Sequence, residues 1–261
     1  MNAKIMFSFA LVSIVTARAA VAAEPDGLKI VQEADSRNNG FVDSVGEASM
    51  ILKKGGKAVN TYYFTTKVLE GKNSDDKTLV VFDKPKDVKG TSLLTYTYEG
   101  KDNEQWIYLP ATARVKRIAS SNQSAPFVGS EFSYEDMVPM VVDKYTYKYT
   151  GMTKCGDGQK CFVVERFPKD ADSGYKKVVL HIDNSQYRLH KAVLFDKSNK
   201  HVKTLTLQNF KQYSGKFWRA HSQVMENIKT GKSTEIQWQS FKFKAGLREG
   251  DFDQSALNRM R

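Results

Sequence analysis

Four histidines, two cysteines and scattered carboxylates are the residues here that could do chemistry, and their spacing argues against catalysis. His181 and His190 flank an Asn184-Ser185 turn, while His201 and His221 fall in later alternating segments. None stands in an HExxH or other metal-ligand spacing, and ordinary strand positions account for all four. No Gly-x-Ser-x-Gly elbow, phosphate-binding loop or Gly-x-Gly-x-x-Gly turn is present. Ser120, Ser121 and Ser124 share a polar stretch with no His or acid at a recognisable offset. Asp102, Glu104, Glu135 and Asp136 could supply a carboxylate pair for general acid–base work, but turn and capping roles explain them more simply. The chain is expected not to be an enzyme, and to use no metal and no cofactor.

Cys155 and Cys161 bracket Gly156-Asp157-Gly158-Gln159-Lys160, and residues 145–150 and 162–167 on either side alternate as strands do. The two cysteines therefore face each other near a hairpin tip. A redox-active pair would want tighter spacing at a helix N-terminus. In an oxidising compartment a structural disulfide is the expectation. So short a ring contributes roughly 2 kcal/mol through loop entropy.

The first residues point to such a compartment. Met1 to Lys4 is a short basic region, Ile5 to Ala17 is apolar and small, and Ala19-Ala20-Val21-Ala22-Ala23 offers a cleavage site after Ala23. Residues 1–23 are thus expected to be a secretory signal peptide, its apolar run too short to span a bilayer. An uncut N-terminal anchor is the alternative. Glu24 follows the cut with no Cys nearby, so no acylation site is expected. The mature chain, 24–261, is then exported and, in a bacterial cell, periplasmic. Lys and Arg number 40 against 29 Asp and Glu, a net charge of +11. Export and the absence of any RNP-like or helix-turn-helix pattern exclude nucleic acid. A solvated basic surface and peripheral attraction to anionic lipid headgroups both fit the charge.

Hydrophobic periodicity supplies the elements that must position these groups. A helix is expected over 28–38, ended by Asn39-Gly40. Strands follow near 47–53, 58–69, 77–83, 91–98, 104–109, 113–119, 143–150, 160–168, 175–182, 187–196, 201–212, 216–228 and 232–244. Short turns such as Lys54-Gly55-Gly56, Glu99-Gly100 and Thr230-Gly231 separate them. That march implies one antiparallel meander, closed or nearly closed, in a single domain without linker or repeat. Ser133-Tyr134-Glu135-Asp136 resembles a capping box opening a short helix that Pro139 must stop. A last helix is expected through 254–260, burying Phe252 and Leu257.

Several strands are apolar on both faces. Tyr62 and Phe64 oppose Tyr63, Leu94 and Tyr96 fall among Leu93 and Thr95, and Trp106 and Tyr108 alternate with Ile107 and Leu109. A sheet solvated on one side would carry polar residues there. With 12 Tyr, 15 Phe and 3 Trp, either a solid core or an aromatic-lined cavity would satisfy the pattern.

Gln105-Trp106-Ile107-Tyr108-Leu109-Pro110, followed by Gly129-Ser130-Glu131-Phe132-Ser133-Tyr134-Glu135-Asp136, resembles the hallmark of the outer-membrane lipoprotein-sorting protein family, with Glu104 in place of the usual first acid. Members are relatives in fold of the lipoprotein carrier LolA and its receptor LolB. Phe82-Asp83-Lys84-Pro85, Lys89 to Leu94, Thr230 to Thr234 and Asp251 to Leu257 fit as well, so the resemblance covers nearly the whole mature chain. It implies a mainly β fold, a strongly curved, incomplete antiparallel β-barrel of about eleven strands with a helical lid. It also implies a carrier of lipid or acylated ligand, and a partnership with RND/MMPL-type exporters. The candidate ligand-binding set is Tyr62, Phe64, Leu94, Tyr96, Trp106 and Tyr108, with Phe127, Phe132 and Tyr134 from the motif region. Arg114 and Arg117 are candidates to hold an anionic headgroup, and the 120–133 loop with the short helix after it is the candidate moving part. A non-carrying accessory protein docked on a transporter, and a hydrolase or metalloprotein, are the competing classes.

Overall fold

The computed structural model describes residues 25–259; the expected signal peptide lies outside them. The chain opens with the helix α1 (Gly27–Asn38), capped where the Asp26 carboxylate accepts from Leu28 N. Ile30, Val31 and Ala34 form its buried face. Thirteen strands then follow, each next to its successor in the sheet except at β6 and β7: β1 (Asp43–Lys54), β2 (Lys57–Leu69), β3 (Lys77–Lys84), β4 (Ser92–Tyr96), β5 (Glu104–Leu109), β6 (Arg114–Arg117), β7 (Tyr145–Lys154), β8 (Lys160–Pro168), β9 (Tyr175–Asp183), β10 (Leu189–Asp196), β11 (His201–Tyr213), β12 (Phe217–Asn227) and β13 (Lys232–Phe243). They make one antiparallel sheet of 13 strands, ordered β6-β5-β4-β3-β2-β1-β13-β12-β11-β10-β9-β8-β7.

The sheet does not close, because β6 and β7 lie at its two edges. The periodicity supplied all thirteen strands, whereas the resemblance implied about eleven. The lid is less helical than expected. β6 and β7 are consecutive in sequence yet far apart in the sheet, so residues 118–144 must cross its open side. That crossing strap contains only isolated single 3-10 turns at Ser120–Asn122, Phe127–Gly129, Glu135–Met137 and Val142–Lys144. The capping-box contacts do form: Ser133 N and Oγ both donate to Asp136 Oδ2, at 2.7 and 2.6 Å. The helix nevertheless lasts one turn, since Val138 is extended immediately before Pro139. The C-terminal piece is likewise 3-10, over Gln254–Arg259. Phe252 and Leu257 are buried, as their periodicity required.

Alternation along the strands splits the apolar side chains into two cores. Facing the strap and α1, the main core holds Met50, Tyr62, Phe64, Val80, Leu93 and Ile107, with Leu180 and Met225 from the other half of the sheet. On the opposite face of β3–β5, Leu79, Leu94, Trp106 and Tyr108 pack against Phe252 and Leu257. The C-terminal segment therefore covers an outer face that would otherwise be greasy. The expected hairpin disulfide is present, Cys155–Cys161, with an S–S distance of 2.02 Å.

Candidate functional site

Between the concave face and the strap lies a cavity of about 400 Å³. Phe64, Val80, Ile236 and Trp238 form its sheet wall, and Phe132 with Val138 forms part of its strap wall. Gly46 makes room for that wall: a Cβ there would sit 2.8 Å from the Trp238 ring. Trp238 stacks on Phe241 at 4.7 Å and meets Phe64 edge-on at 5.8 Å. A second cavity of about 370 Å³ runs on beneath α1, walled by Val31, Ala34, Leu180 and Leu189. A third, of about 150 Å³, lies between them under Phe132 and Met140. Arg219, Ala220 and Gln223 line both larger cavities, and Arg166 lines the second and third. The two larger spaces fall within the roughly 300–1,000 Å³ of typical small-ligand pockets, and their walls are mostly apolar.

The strap is held down by polar groups of the hallmark segment. Val128 and Gly129 both adopt left-handed backbone, at φ 48° and 71°, reversing the chain so that Phe127 N donates to Phe132 O at 2.7 Å. Glu131 N donates to the buried Thr234 hydroxyl of β13 at 2.9 Å, and Asn227 of β12 donates to the Glu131 carboxylate at 2.7 Å. Gln105 of β5 donates to Tyr134 O at 3.1 Å. Ser173 Oγ and Gly174 N both donate to Glu135, at 2.8 and 2.9 Å. Burial raises the Glu135 carboxyl above its ordinary value despite those bonds. Asp136 Oδ2 further accepts from the Tyr175 hydroxyl at 3.0 Å and pairs with Lys203 Nζ at 3.4 Å. One carboxylate thus ties the strap to β9 and β11.

The structure divides the candidate ligand-binding residues into three groups. Phe64 and Phe132 line the first cavity. Tyr62, Phe127 and Tyr134 join the same concave core without lining that cavity, Phe127 touching Phe82 and Tyr134 at 5.7 Å. Leu94, Tyr96, Trp106 and Tyr108 sit on the outer face, where Trp106 meets Tyr96 at 5.1 Å and the Tyr96 hydroxyl donates to Phe252 O at 2.5 Å. Their expected place at the cavity is corrected: neighbours in a strand point to opposite faces, and these four alternate with the concave set. Arg114 and Arg117 stand exposed on the edge strand β6, Arg117 donating to Glu104 at 2.9 Å. They too lie away from the apolar cavity.

Solved structures are similar to the chain over most of its length. A domain from Vibrio parahaemolyticus assigned to outer membrane lipoprotein sorting is 43% identical, with a TM-score of 0.86, covering 89% of this chain and 98% of its own. The chain belongs to the outer membrane lipoprotein-sorting family. A DUF1329 family protein from Desulfovibrio piger is 32% identical, TM-score 0.83, covering 88% of this chain and 97% of its own. A LolA superfamily protein from Nitrosomonas europaea shares the fold at 19% identity, TM-score 0.71, covering 88% and 99% of the two chains. A family model described as "-like: Uncharacterized protein" matches residues 74–259. No curated protein matches the chain.

For a member of this family, the titratable groups outside the strap have structural work. Asp183, fully buried, accepts from Ser185, Gln186 and Arg188, and lies 3.0 Å from His190 Nε2. Those donors hold its carboxyl well below the usual range, against the opposing effect of burial. The carboxylate accepts from Ser185, Gln186 and Arg188 at once and so organises the 183–190 turn. His221 Nδ1 lies 2.7 Å from Trp238 O and so must donate, leaving Nε2 to accept from the Tyr213 hydroxyl, also at 2.7 Å. Among the described residues, no three His, Cys, Asp or Glu come together to hold a metal ion. No helix among them is long and apolar enough to cross a membrane. Arg166 and Arg219 were missed in the sequence. Their one local signal is aromatic company, Phe167 after the first and Phe217-Trp218 before the second.

Proposed function

We propose that the protein carries a lipid or acylated ligand, its acyl chain shielded between the concave sheet and the strap, and hands it between components of the envelope. The observation carrying this reading is the apolar space roofed by 132–140 inside a LolA-type open barrel. A chain of about 16 carbons exposes roughly 13 kcal/mol of hydrophobic free energy in water, at about 0.8 kcal/mol per methylene. A periplasmic carrier must offset most of that and still release its cargo. A strap whose hydrogen bonds and apolar packing open at modest cost meets both demands, because the open and closed states can then differ in affinity while differing little in energy. The finer part of the reading is delivery to or from an RND/MMPL-type transporter, which co-purification with such a transporter would test.

The carrier reading is tested by titrating a fluorescent fatty acid into the native protein and into Ala220→Trp. Ala220 is buried and borders both larger cavities, so an indole there fills the shared space. Saturable binding that weakens at least tenfold in the variant, with the same β-type circular dichroism, is the expected result. A native protein that binds none of the probe would favour an accessory protein that docks on a transporter without cargo.

A further inference from the structure

Arg219 lies where the two larger cavities meet, and its surroundings are unusual for a guanidinium group. It is partly buried, within 5.1–5.9 Å of the Phe41, Phe217 and Phe243 ring centroids. Its Nη1 donates to Asn38 Oδ1 at 3.0 Å and to Trp218 O at 2.9 Å. Among the described residues it forms no ion pair. Glu70, the acid that acts on it at longer range, is engaged with the backbone N–H groups of Gly40 and Val42. Burial draws the Arg219 pKa down to about 10, and the group stays cationic at neutral pH.

Arg166 repeats the pattern beside the second cavity, which Arg219 also lines. It stacks 4.4 Å over Tyr145, forms no ion pair among the described residues, and its buried Nε has no hydrogen-bond partner. The other arginines beside that cavity differ: Arg188 is paired with Asp183 and Arg37 with Glu33. A buried cation without a carboxylate is costly, since desolvation is not repaid by a neighbouring charge. Two such partly buried groups border one mostly apolar space; Glu70 favours the Arg219 charge only at longer range, and Asp136, which also lines the first cavity, is already paired with Lys203, so room remains for an anion from outside the chain.

We propose that Arg219, with Arg166 as its second contact, holds the anionic headgroup of an amphiphile whose acyl chain occupies the apolar cavity. This rests on the carrier reading above and narrows the cargo to carboxylate- or phosphate-headed lipids. A guanidinium fork suits either head, and low local polarity strengthens the pairing. Because the cation sits inside the fold, added salt weakens this contact less than it would an exposed one.

The test compares a pyrene-labelled hexadecanoic acid with its methyl ester on the native protein, Arg219→Met, Arg166→Met and Arg219→Lys. The acid is expected to bind the native protein at least tenfold more tightly than the ester. Arg219→Met should abolish that preference by weakening the acid at least fivefold more than the ester, Arg166→Met should reduce it in part, and Arg219→Lys should retain some of it. The ester also reports whether each variant is folded and able to bind. Equal native affinities for acid and ester would overturn the headgroup assignment and leave the carrier reading standing. Loss of both ligands from the native protein would remove the carrier reading and this proposal with it. Inorganic phosphate is run alongside; displacement of the acid by phosphate at equal concentration would mean that a free anion is held, and would overturn the amphiphile.

Discussion

On the outer face of β3–β5, Leu79, Leu94 and Trp106 meet Phe252 and Leu257 in a small buried cluster, with an open, polar-rimmed groove at its Tyr96 and Trp106 edge. On the inner face of the same strands, Val80 borders a cavity of about 400 Å³ under the strap. The two faces are built from residues one apart in sequence and of the same chemical type. What separates them is the cover. The outer face is sealed by the chain's own C-terminal segment, whose apolar side chains fit it. The inner face is roofed by a strap that packs Phe127 and Phe132 into the main core and is tied to the sheet by hydrogen bonds as well, yet leaves space beside Phe132 and Val138. An apolar surface fitted closely by its cover becomes core, and one whose cover bridges it through side-chain hydrogen bonds as well as packing can keep room for a ligand.

The sharpest break of this contrast is Phe252→Ala. Emptying the outer cluster should lower the unfolding free energy by roughly 3–5 kcal/mol in urea titrations, with fatty-acid affinity unchanged within twofold. A parallel loss of affinity would mean that the two faces act as one. Asp136→Ala strikes the strap instead. Removing the acceptor shared by Ser133, Tyr175 and Lys203 should cost about 2–3 kcal/mol and speed amide exchange over 127–138 more than in the outer cluster. Exchange that rises uniformly would sink the idea of a separately fastened roof.

Replacing Cys155 and Cys161 together by Ala serves as a control outside both faces, with about 2 kcal/mol lost and no change in ligand affinity. Arg114→Ala with Arg117→Ala should alter stability by less than about 1 kcal/mol and leave acyl binding alone; a clear loss of binding would return the headgroup site to β6. The smallest effect concerns pH. Glu135 has its carboxyl value raised by burial in the folded chain. Its contribution is therefore fully present below the unfolded carboxylate value and fades as pH rises through the folded one. Glu135→Gln should flatten that part of the stability profile; an unchanged slope would show that Glu135 is not its source.

Much of this architecture was legible in the chain. The thirteen strands, the first helix and the Cys155–Cys161 pair all follow from alternation, turn residues and spacing, which are local properties. The face that each apolar residue covers is also local in part: Trp106 and Ile107 had to diverge. Nothing within 104–109 says that the Trp106 side will meet Phe252, because that contact joins segments far apart in the chain. Trp106 and Tyr108, cavity candidates by their alternation, therefore lie instead in the outer cluster with Phe252 and Leu257. The hallmark Ser133-Tyr134-Glu135-Asp136 suggested a helix start. Its hydrogen bonds formed, yet Pro139 left room for one turn, and the acids went on to fasten the strap to β9 and β11. Arg219 left no local trace of its role, since being unpaired depends on which carboxylates the fold places nearby.

The measurement that bears most directly on the central claim is native mass spectrometry, with lipid extraction, of the protein purified from its own cells. The account predicts a mass increment of defined stoichiometry, released on denaturation as a lipid or acylated peptide. A clean ligand-free mass, in protein that also takes up no fluorescent fatty acid, would contradict it.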